Sequence, residues 1–325
     1  MPTAIIYVFS GTYNTLKAAR MVSCALQEGG VKTTVCEVKK PLGALPKPDA
    51  YDYIGFGYPV HAYNAPQIFV EFIRGLPALK RPVFLFKTSG EPFRMNNASS
   101  CMIHRLLQRK GYDLRLEAHM LMPYNIMFRY PDALAKQMYL HTQAQSKLLA
   151  TRLLGGERDR IRFHLGHWVI SFLMRIEWPG AKLNGLMYSA DKKKCTLCRR
   201  CVSMCPVNNI RLENGKIKFA GQCAMCMRCA MFCPRDAINP GLVRFWKVHG
   251  GYEFKRLLDD PAIPSDYVRD DTKGYFRLFR KYYCKADAEL TRYGIPCDFK
   301  SSGQPAVNFP DTVSEEDDSD VVGMI

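Results

Sequence analysis

No window of roughly 18 residues in the 325-residue chain is apolar and free of charge, which argues against a helical membrane span. The first residues, Met-Pro-Thr-Ala-Ile-Ile-Tyr-Val-Phe-Ser-Gly, lack the basic stretch and small-residue cleavage site of a secretory leader, so a cytoplasmic location is expected. Neither the phosphate-loop pattern G-x4-G-K-S/T nor the dinucleotide pattern G-x-G-x-x-G occurs, and no nucleic-acid-binding module signature is present. No Ser/His/Asp or Cys/His nucleophile set stands out, and no carboxylate pair placed for acid–base work. Acidic residues are scarce: 30 Asp and Glu face 46 Lys and Arg, a formal charge of +16. From Arg152 to Arg200 there are 11 Lys/Arg against 4 Asp/Glu, a local +7. That excess suits an acidic protein partner better than an anionic membrane surface, and a nucleic acid least.

What the chain does have is thiol. Of its 13 cysteines, eight form two runs of identical spacing, Cys195, Cys198, Cys201, Cys205-Pro206 and Cys223, Cys226, Cys229, Cys233-Pro234. Both read C-x2-C-x2-C-x3-C-P, the bacterial iron–sulfur run. Three cysteines at this interval wrap one corner of a cubane. The fourth lies a helical turn further on, pointing away, and proline ends the turn because it has no N–H to donate. In a paired arrangement the fourth cysteine ligates the other cluster. Cys195, Cys198, Cys201 and Cys233 are therefore assigned to one 4Fe-4S centre, and Cys223, Cys226, Cys229 and Cys205 to the second. A zinc site would use two C-x2-C pairs without the third cysteine or the C-P ending, and nothing marks the secreted setting of a disulfide framework. Residues 191–240 resemble the bacterial-type two-cluster ferredoxins. The remaining Cys24, Cys36, Cys101, Cys284 and Cys297 are scattered and expected to be reduced, mostly buried thiols.

Upstream, Ala4 to Phe9 is a continuous run of β-formers, as in a parallel strand buried on both faces. Ser10-Gly-Thr-Tyr-Asn-Thr15 follows, then a helical pattern (Leu16, Ala19, Val22, Leu26) stopped at Gly29-Gly30. A strand, a small polar loop and a helix N-terminus make a phosphate-binding geometry. Further strands are expected near 31–38, 51–57, 82–88 and 114–122. Helices are expected near 67–74, 98–108 and 131–154, and no full helix in the proline-rich 39–50 link. Alternation of this kind predicts an open parallel sheet with helices on both faces, its ligand beyond the carboxyl ends of the strands. This layout resembles the flavodoxin fold over 1–155, and Ser10, Gly11, Thr12, Tyr13, Asn14 and Thr15 look like its FMN phosphate loop. By that resemblance, the loops holding Tyr58, Pro59, Val60, His61 and Tyr63, and Thr88, Ser89 and Gly90, flank the flavin ring. Tyr58 and Tyr63 would stack on it or cover an edge, and Gly90 would admit close backbone approach. Tyr13 departs from the usual glycine; if the position needs a positive φ, FMN binding comes into doubt.

The order of a flavodoxin-like domain and then paired clusters resembles the EFR1-family ferredoxins, bacterial flavodoxin–ferredoxin fusions. Ser10–Thr15, Tyr58–Pro66, Lys87–Pro92, Met122–Asn125 and both cysteine runs carry the likeness, over about residues 1–240. The implied fold is α/β: a doubly wound parallel five-stranded sheet (1–155), a basic amphipathic helical connector (156–190), a small α+β two-cluster ferredoxin domain (191–240) and an extension with an acidic tail (241–325). On the connector, Ile161, Leu165, Trp168, Val169, Phe172, Leu173 and Ile176 share a helix face, expected to pack one domain on the other; a lipid surface is the second reading. The aromatic stretches Phe245-Trp246 and Tyr275–Tyr283 are expected to pack back. The acidic stretch Ser314–Asp320 would shield the basic surface. The reading is an electron-transfer protein using FMN and two 4Fe-4S clusters. A flavin-dependent reductase of a small molecule and a ferredoxin with an FMN-free docking module are the alternatives.

Overall fold

The computed structural model of the chain describes residues 1–296; Cys297 and the acidic stretch Ser314–Asp320 lie outside the described residues. Five parallel strands, β1 (Thr3–Val8), β2 (Lys32–Glu37), β3 (Tyr53–Pro59), β4 (Pro82–Ser89) and β5 (Asp113–Leu121), stand in the order β2-β1-β3-β4-β5. This is the flavodoxin-like order, with its crevice where the winding reverses between β1 and β3. Alternation along β1 sends Ala4, Ile6 and Val8 to one face and Ile5 and Tyr7 to the other, feeding two separate cores. Helices α1 (Asn14–Glu28) and α4 (Asp132–Leu154) cover the first face; α2 (Gln67–Gly75) and α3 (Cys101–Arg109) cover the second. Two 3-10 turns, Leu42–Ala44 and Pro48–Ala50, replace a helix between β2 and β3, as the prolines there require. Gly55 and Gly57 of β3 have a steric role: a Cβ on them would lie 2.4 and 2.3 Å from the rings of Phe84 and Phe86 on β4.

β4 also buries a charge. Lys87 Nζ donates to Ser100 Oγ (2.8 Å) and Glu117 Oε1 (2.9 Å), and His104 Nε2 meets Glu117 Oε2 at 2.6 Å. Burial alone would raise the Glu117 carboxyl, but the Lys87 charge and the hydrogen bonds prevail and hold it down at about 2.

The helical part of the extension packs back as expected, but Phe245 of the expected aromatic pair is exposed. α9 (Phe254–Asp259) and α10 (Arg277–Arg292) bury Phe254, Leu257, Phe279 and Tyr283 against α4. Polar residues of α4 are thereby satisfied from the extension: Lys136 Nζ donates to Asp260 O (2.8 Å), and Gln137 exchanges two bonds with Val268 (3.2 and 2.8 Å). Cys101 is buried and Cys24 and Cys36 half-buried, but Cys284 is exposed.

The connector departs from expectation. α5 (Leu165–Leu173) and α6 (Glu177–Leu186), joined by a 3-10 turn, bury the polar face instead of the apolar one. His167 and Ser171 point inward, with Ser171 Oγ donating to Asn64 Oδ1 (2.9 Å), while Leu165, Val169, Phe172, Leu173 and Ile176 are exposed. Trp168 and Ile161 are half-buried. The physical reason is partner chemistry: the Asn64 amide inside the loop after β3 needs a hydrogen-bonding neighbour, which an apolar face cannot offer.

Beyond it, α7 (Arg200–Ser203) and α8 (Arg228–Met231) frame two short antiparallel ladders. β6 (Ser189–Ala190) pairs with β9 (Ile238–Asn239), and β7 (Ile210–Glu213) with β8 (Lys216–Phe219).

Candidate functional site

The backbone of the cysteine region repeats itself as its sequence does. Cys195 and Cys223 differ by 28 positions, and so do the left-handed residues Leu197 (φ 57°) and Met225 (φ 50°), Arg199 (62°) and Met227 (61°), and Asn208 (53°) and Asp236 (48°). α7 and α8 begin 28 apart as well. The fourth cysteine of each run accepts an amide from four residues on, Asn209 N to Cys205 Sγ and Ala237 N to Cys233 Sγ, both at 3.2 Å.

The thiols gather crosswise. Cys195, Cys198, Cys201 and Cys233 line one cavity. Burial, then the neighbouring thiols of Cys195, Cys198 and Cys233, pushes Cys201 up to about 11. Burial pushes Cys223 up to about 12, and Cys226 and Cys205 add to it. Cys229 is also raised, by burial first and then by Cys226, Cys223 and Cys205. Buried thiols that crowd one another in this way favour a cationic core that holds them as thiolates. Among the described residues no three His, Cys, Asp or Glu side chains converge closely enough for a single ion. A cubane differs, because each thiolate binds its own iron around a void. The twofold C-x2-C-x2-C-x3-C-P spacing and the crosswise lining of the cavity fit two clusters. Cys198 is exposed, with Lys192, Lys193, Lys194, Arg199, Arg200 and Arg235 exposed around it, whereas the second set faces the large sheet.

A second cavity lies at the carboxyl ends of the sheet strands. Ser10, Gly11, Thr12, Asn14 and Thr15 wall it from the first loop, Pro59, Val60 and His61 after β3, and Thr88, Ser89 and Gly90 after β4. Ser10 Oγ accepts the Leu16 amide (3.2 Å), and the Thr15 and Thr88 hydroxyls meet at 2.7 Å. Tyr13 does adopt the glycine-like conformation, φ 69°, at the start of α1. A left-handed tyrosine costs roughly 1–2 kcal/mol. Contacts on the cysteine side offset this: its ring lies 5.3 Å from that of Phe232 and 4.5 Å from the Arg228 guanidinium.

Three expectations change here. Tyr58 is fully buried in the core, packed on Phe69, with its hydroxyl 2.9 Å from Ser100 Oγ, because β3 turns that side chain away from the strand ends. Tyr63 sits at a left-handed turn (φ 58°) beside the His61–Asn64 bridge and is not among the cavity-wall residues. At Gly90 the space is taken by Tyr124, whose ring a Cβ there would meet at 2.7 Å. Tyr124 and Asn125, from the loop after β5, line the cavity instead. Asn125 Nδ2 donates to Thr12 Oγ1 (2.9 Å) and Thr12 O (3.1 Å), while its Oδ1 is buried with no hydrogen-bond partner. That orphaned acceptor fits a ligand rich in hydroxyl or imide donors. The Met-Pro-Tyr-Asn run carried this signal in sequence only through the family likeness.

The two cavities share a wall. Met225 and Cys226 close the sheet-edge cavity, and a Cβ on Gly11 would lie 3.2 Å from Cys226 O. Arg228, 1% exposed, crosses the boundary: its guanidinium donates to Ser10 O, to Gly11 O (2.8 Å) and to Met204 O (3.1 Å), and pairs with Glu37. Nothing in its spacing distinguishes this arginine from its counterpart Arg200. Near the cavity, His61 Nδ1 lies 3.7 Å from Glu177 Oε1 of α6. Burial pushes His61 down to about 4 and Glu177 up to about 7, disfavouring the charged form of each partner, so the contact is not a strong ion pair.

Residues 194–238 match the 4Fe-4S dicluster domain family. No curated protein matches the chain. Among solved structures, oxidised flavodoxin 1 from Bacillus cereus is 12% identical, with 47% of this chain and 97% of that one covered and a TM-score of 0.35. A flavodoxin from Streptococcus pneumonia is 16% identical (47% and 99% covered, TM-score 0.35), and a short-chain flavodoxin associated with a PDU bacterial microcompartment is 14% identical (48% and 99%, TM-score 0.37). The strand order carries the fold assignment. The chain thus joins a flavodoxin-like fold to a 4Fe-4S dicluster domain, a combination that supports an electron-transfer role.

Proposed function

We propose that the protein carries electrons between FMN on the sheet edge, two 4Fe-4S clusters and an acidic redox partner. The observation that carries this reading is the shared wall: residues of the second cysteine run close the cavity that the phosphate-type loop opens. Ser10–Thr15 at the N-terminus of α1 would hold the phosphate, with loop amides and hydroxyls replacing its water. Asn125 Oδ1 would accept a donor of the ligand. Bound flavin supplies a two-electron carrier beside one-electron centres.

Cys223, Cys226, Cys229 and Cys205 would hold the inner cluster, and Cys195, Cys198, Cys201 and Cys233 the outer one. Met225 and Cys226 exclude water from the sheet-edge cavity on the inner side. The exposed lysines and arginines around Cys198 offer an acidic protein its docking face and partly neutralise the cluster charge. The shared wall sets a residue of the second cysteine run against the sheet-edge cavity, which supports electron transfer ahead of the reductase reading. The left-handed Tyr13 meets the condition that puts FMN binding in doubt, and its contacts with Phe232 and Arg228 offset the backbone cost, so flavin titration decides the FMN-free reading.

Anaerobic purification with iron assay, flavin extraction and an absorption spectrum tests the proposal. About eight irons and one FMN per chain are expected. Flavin that fails to bind at any concentration overturns the FMN part, and about four irons overturns the crosswise pair of clusters.

A further inference from the structure

The connector carries its hydrophobic residues on the outside. Leu165 (78% exposed), Phe172 (69%) and Ile176 (73%), with Val169 and Leu173, follow each other at helical spacing along α5 and the turn after it. Leu183 and Leu186 of α6 and Met187 just after it continue the spacing and are exposed, as are Leu242 and Phe245 (71%) of the Gly241–Trp246 turn packed on that helix. The row spans roughly 30 Å from Leu165 to Leu186 at the α-helical rise. Single exposed apolar residues are ordinary, but an aligned row of this size marks an interaction surface. The opposite face is fixed inward by His167 and Ser171, so the row has no route back into the core without breaking the Ser171–Asn64 bond.

Charge selects the occupant. Between Arg160 and Ala190 the cations are Arg160, Arg162, Arg175 and Lys182, and the only carboxylate is Glu177, which burial drives toward neutrality. Arg160, Arg162 and Lys182 are exposed, and the Arg175 guanidinium lies 5.7 Å from the Phe172 ring centroid. A second copy of the chain would bring these cations against their own kind. An anionic surface complements them. An exposed row of Leu, Ile, Val, Met and Phe side chains flanked by cations is the pattern of a helix lying at the headgroup–acyl boundary of a bilayer. We infer that α5 and α6 lie flat on an anionic lipid surface, apolar row inward and arginines at the headgroups. This does not rest on the electron-transfer reading, because it uses neither cavity.

The test is flotation of the full chain, with its cofactors, on vesicles of phosphatidylcholine alone and of phosphatidylcholine mixed with phosphatidylglycerol. Binding to the mixed vesicles and its loss at high salt are expected. The paired substitution Phe172→Asp and Ile176→Asp should weaken it at least tenfold, on the order expected for removing two membrane anchors. Arg160→Gln, Arg162→Gln and Lys182→Gln together should weaken it about fivefold per cation. These side chains are exposed or rim groups, so melting temperature and visible spectrum should not change in either variant. Equal affinity for both vesicle types, or an aspartate variant that binds as the parent does, overturns the inference. A dimer that the aspartate variant dissolves, without vesicle binding, assigns the ridge to self-association instead. Absence of both assigns it to a protein partner, and either result refutes the lipid reading.

Discussion

Replacing Arg228 by methionine removes the side chain that holds the cysteine region on the sheet edge. Its loss strands the carbonyls of Ser10, Gly11 and Met204 in a buried boundary and takes the partner from Glu37. Breaking a buried ion pair from one side costs about 3–5 kcal/mol. Glu37, however, keeps Lys39 at 2.6 Å, so its charge is not abandoned and the lower end applies. Orphaned carbonyls at about 1 kcal/mol each supply that sum by themselves. Arg228→Met should therefore lower the unfolding free energy by about 3 kcal/mol. Arg228→Lys should cost about 2, because one ammonium cannot serve oxygens arrayed around a planar fork. Glu37→Gln should cost less than about 1.5 and recover little when added to Arg228→Met. Urea unfolding of the cluster-loaded protein under anaerobic conditions measures all four variants. Parent-like stability in Arg228→Lys would refute the argument from geometry. Recovery of most of the loss by adding Glu37→Gln would show that charge, not the carbonyls, dominates.

Glu177 makes stability depend on pH. Its carboxyl is raised by burial to about 7 from 4.5, so its contribution is fully present below pH 4.5 and is lost as pH rises through 7. About 3 kcal/mol is at stake as an upper bound, and Glu177→Gln should gain on the parent by up to that amount between pH 5 and pH 8 in matched melts. Tyr13→Gly should relieve roughly 1 kcal/mol of backbone cost while giving up the contacts with Phe232 and Arg228. Its FMN affinity, read by fluorescence quenching, should stay within about threefold, about 0.65 kcal/mol; a large gain would mean that the tyrosine distorts the loop. Cys205→Ser and Cys233→Ser should each remove about half of the iron, Cys233→Ser emptying the outer site. Unchanged iron in either variant counts against crosswise ligation.

The parts of the fold that one strand or one spacing dictates could be read directly. The β1 run, the loop after it and the 28-residue repeat of cysteines each state a local geometry, and the backbone follows them. Orientation across elements was less legible. Periodicity located the apolar face of α5 but not its side, which depends on Asn64, a residue 107 positions before Ser171. Tyr58 lies near the end of β3 and Tyr124 in the loop after β5; the facing of β3 sends the first into the core, while the loop brings the second against Gly90. α4 shows no clean polar face because the extension covers what would have been its wet side, burying Lys136, Gln137 and His141.

The contact between Gly11 and Cys226 ties events in one half of the chain to the other. An added methyl at Gly11 would press on the carbonyl and Cβ of Cys226, at 3.2 and 3.3 Å. Gly11→Ala is therefore a lever: pushed from the sheet-edge cavity it displaces Cys226, and if Cys226 ligates a cluster as proposed, the change should register as an altered visible band and midpoint potential even with no flavin added.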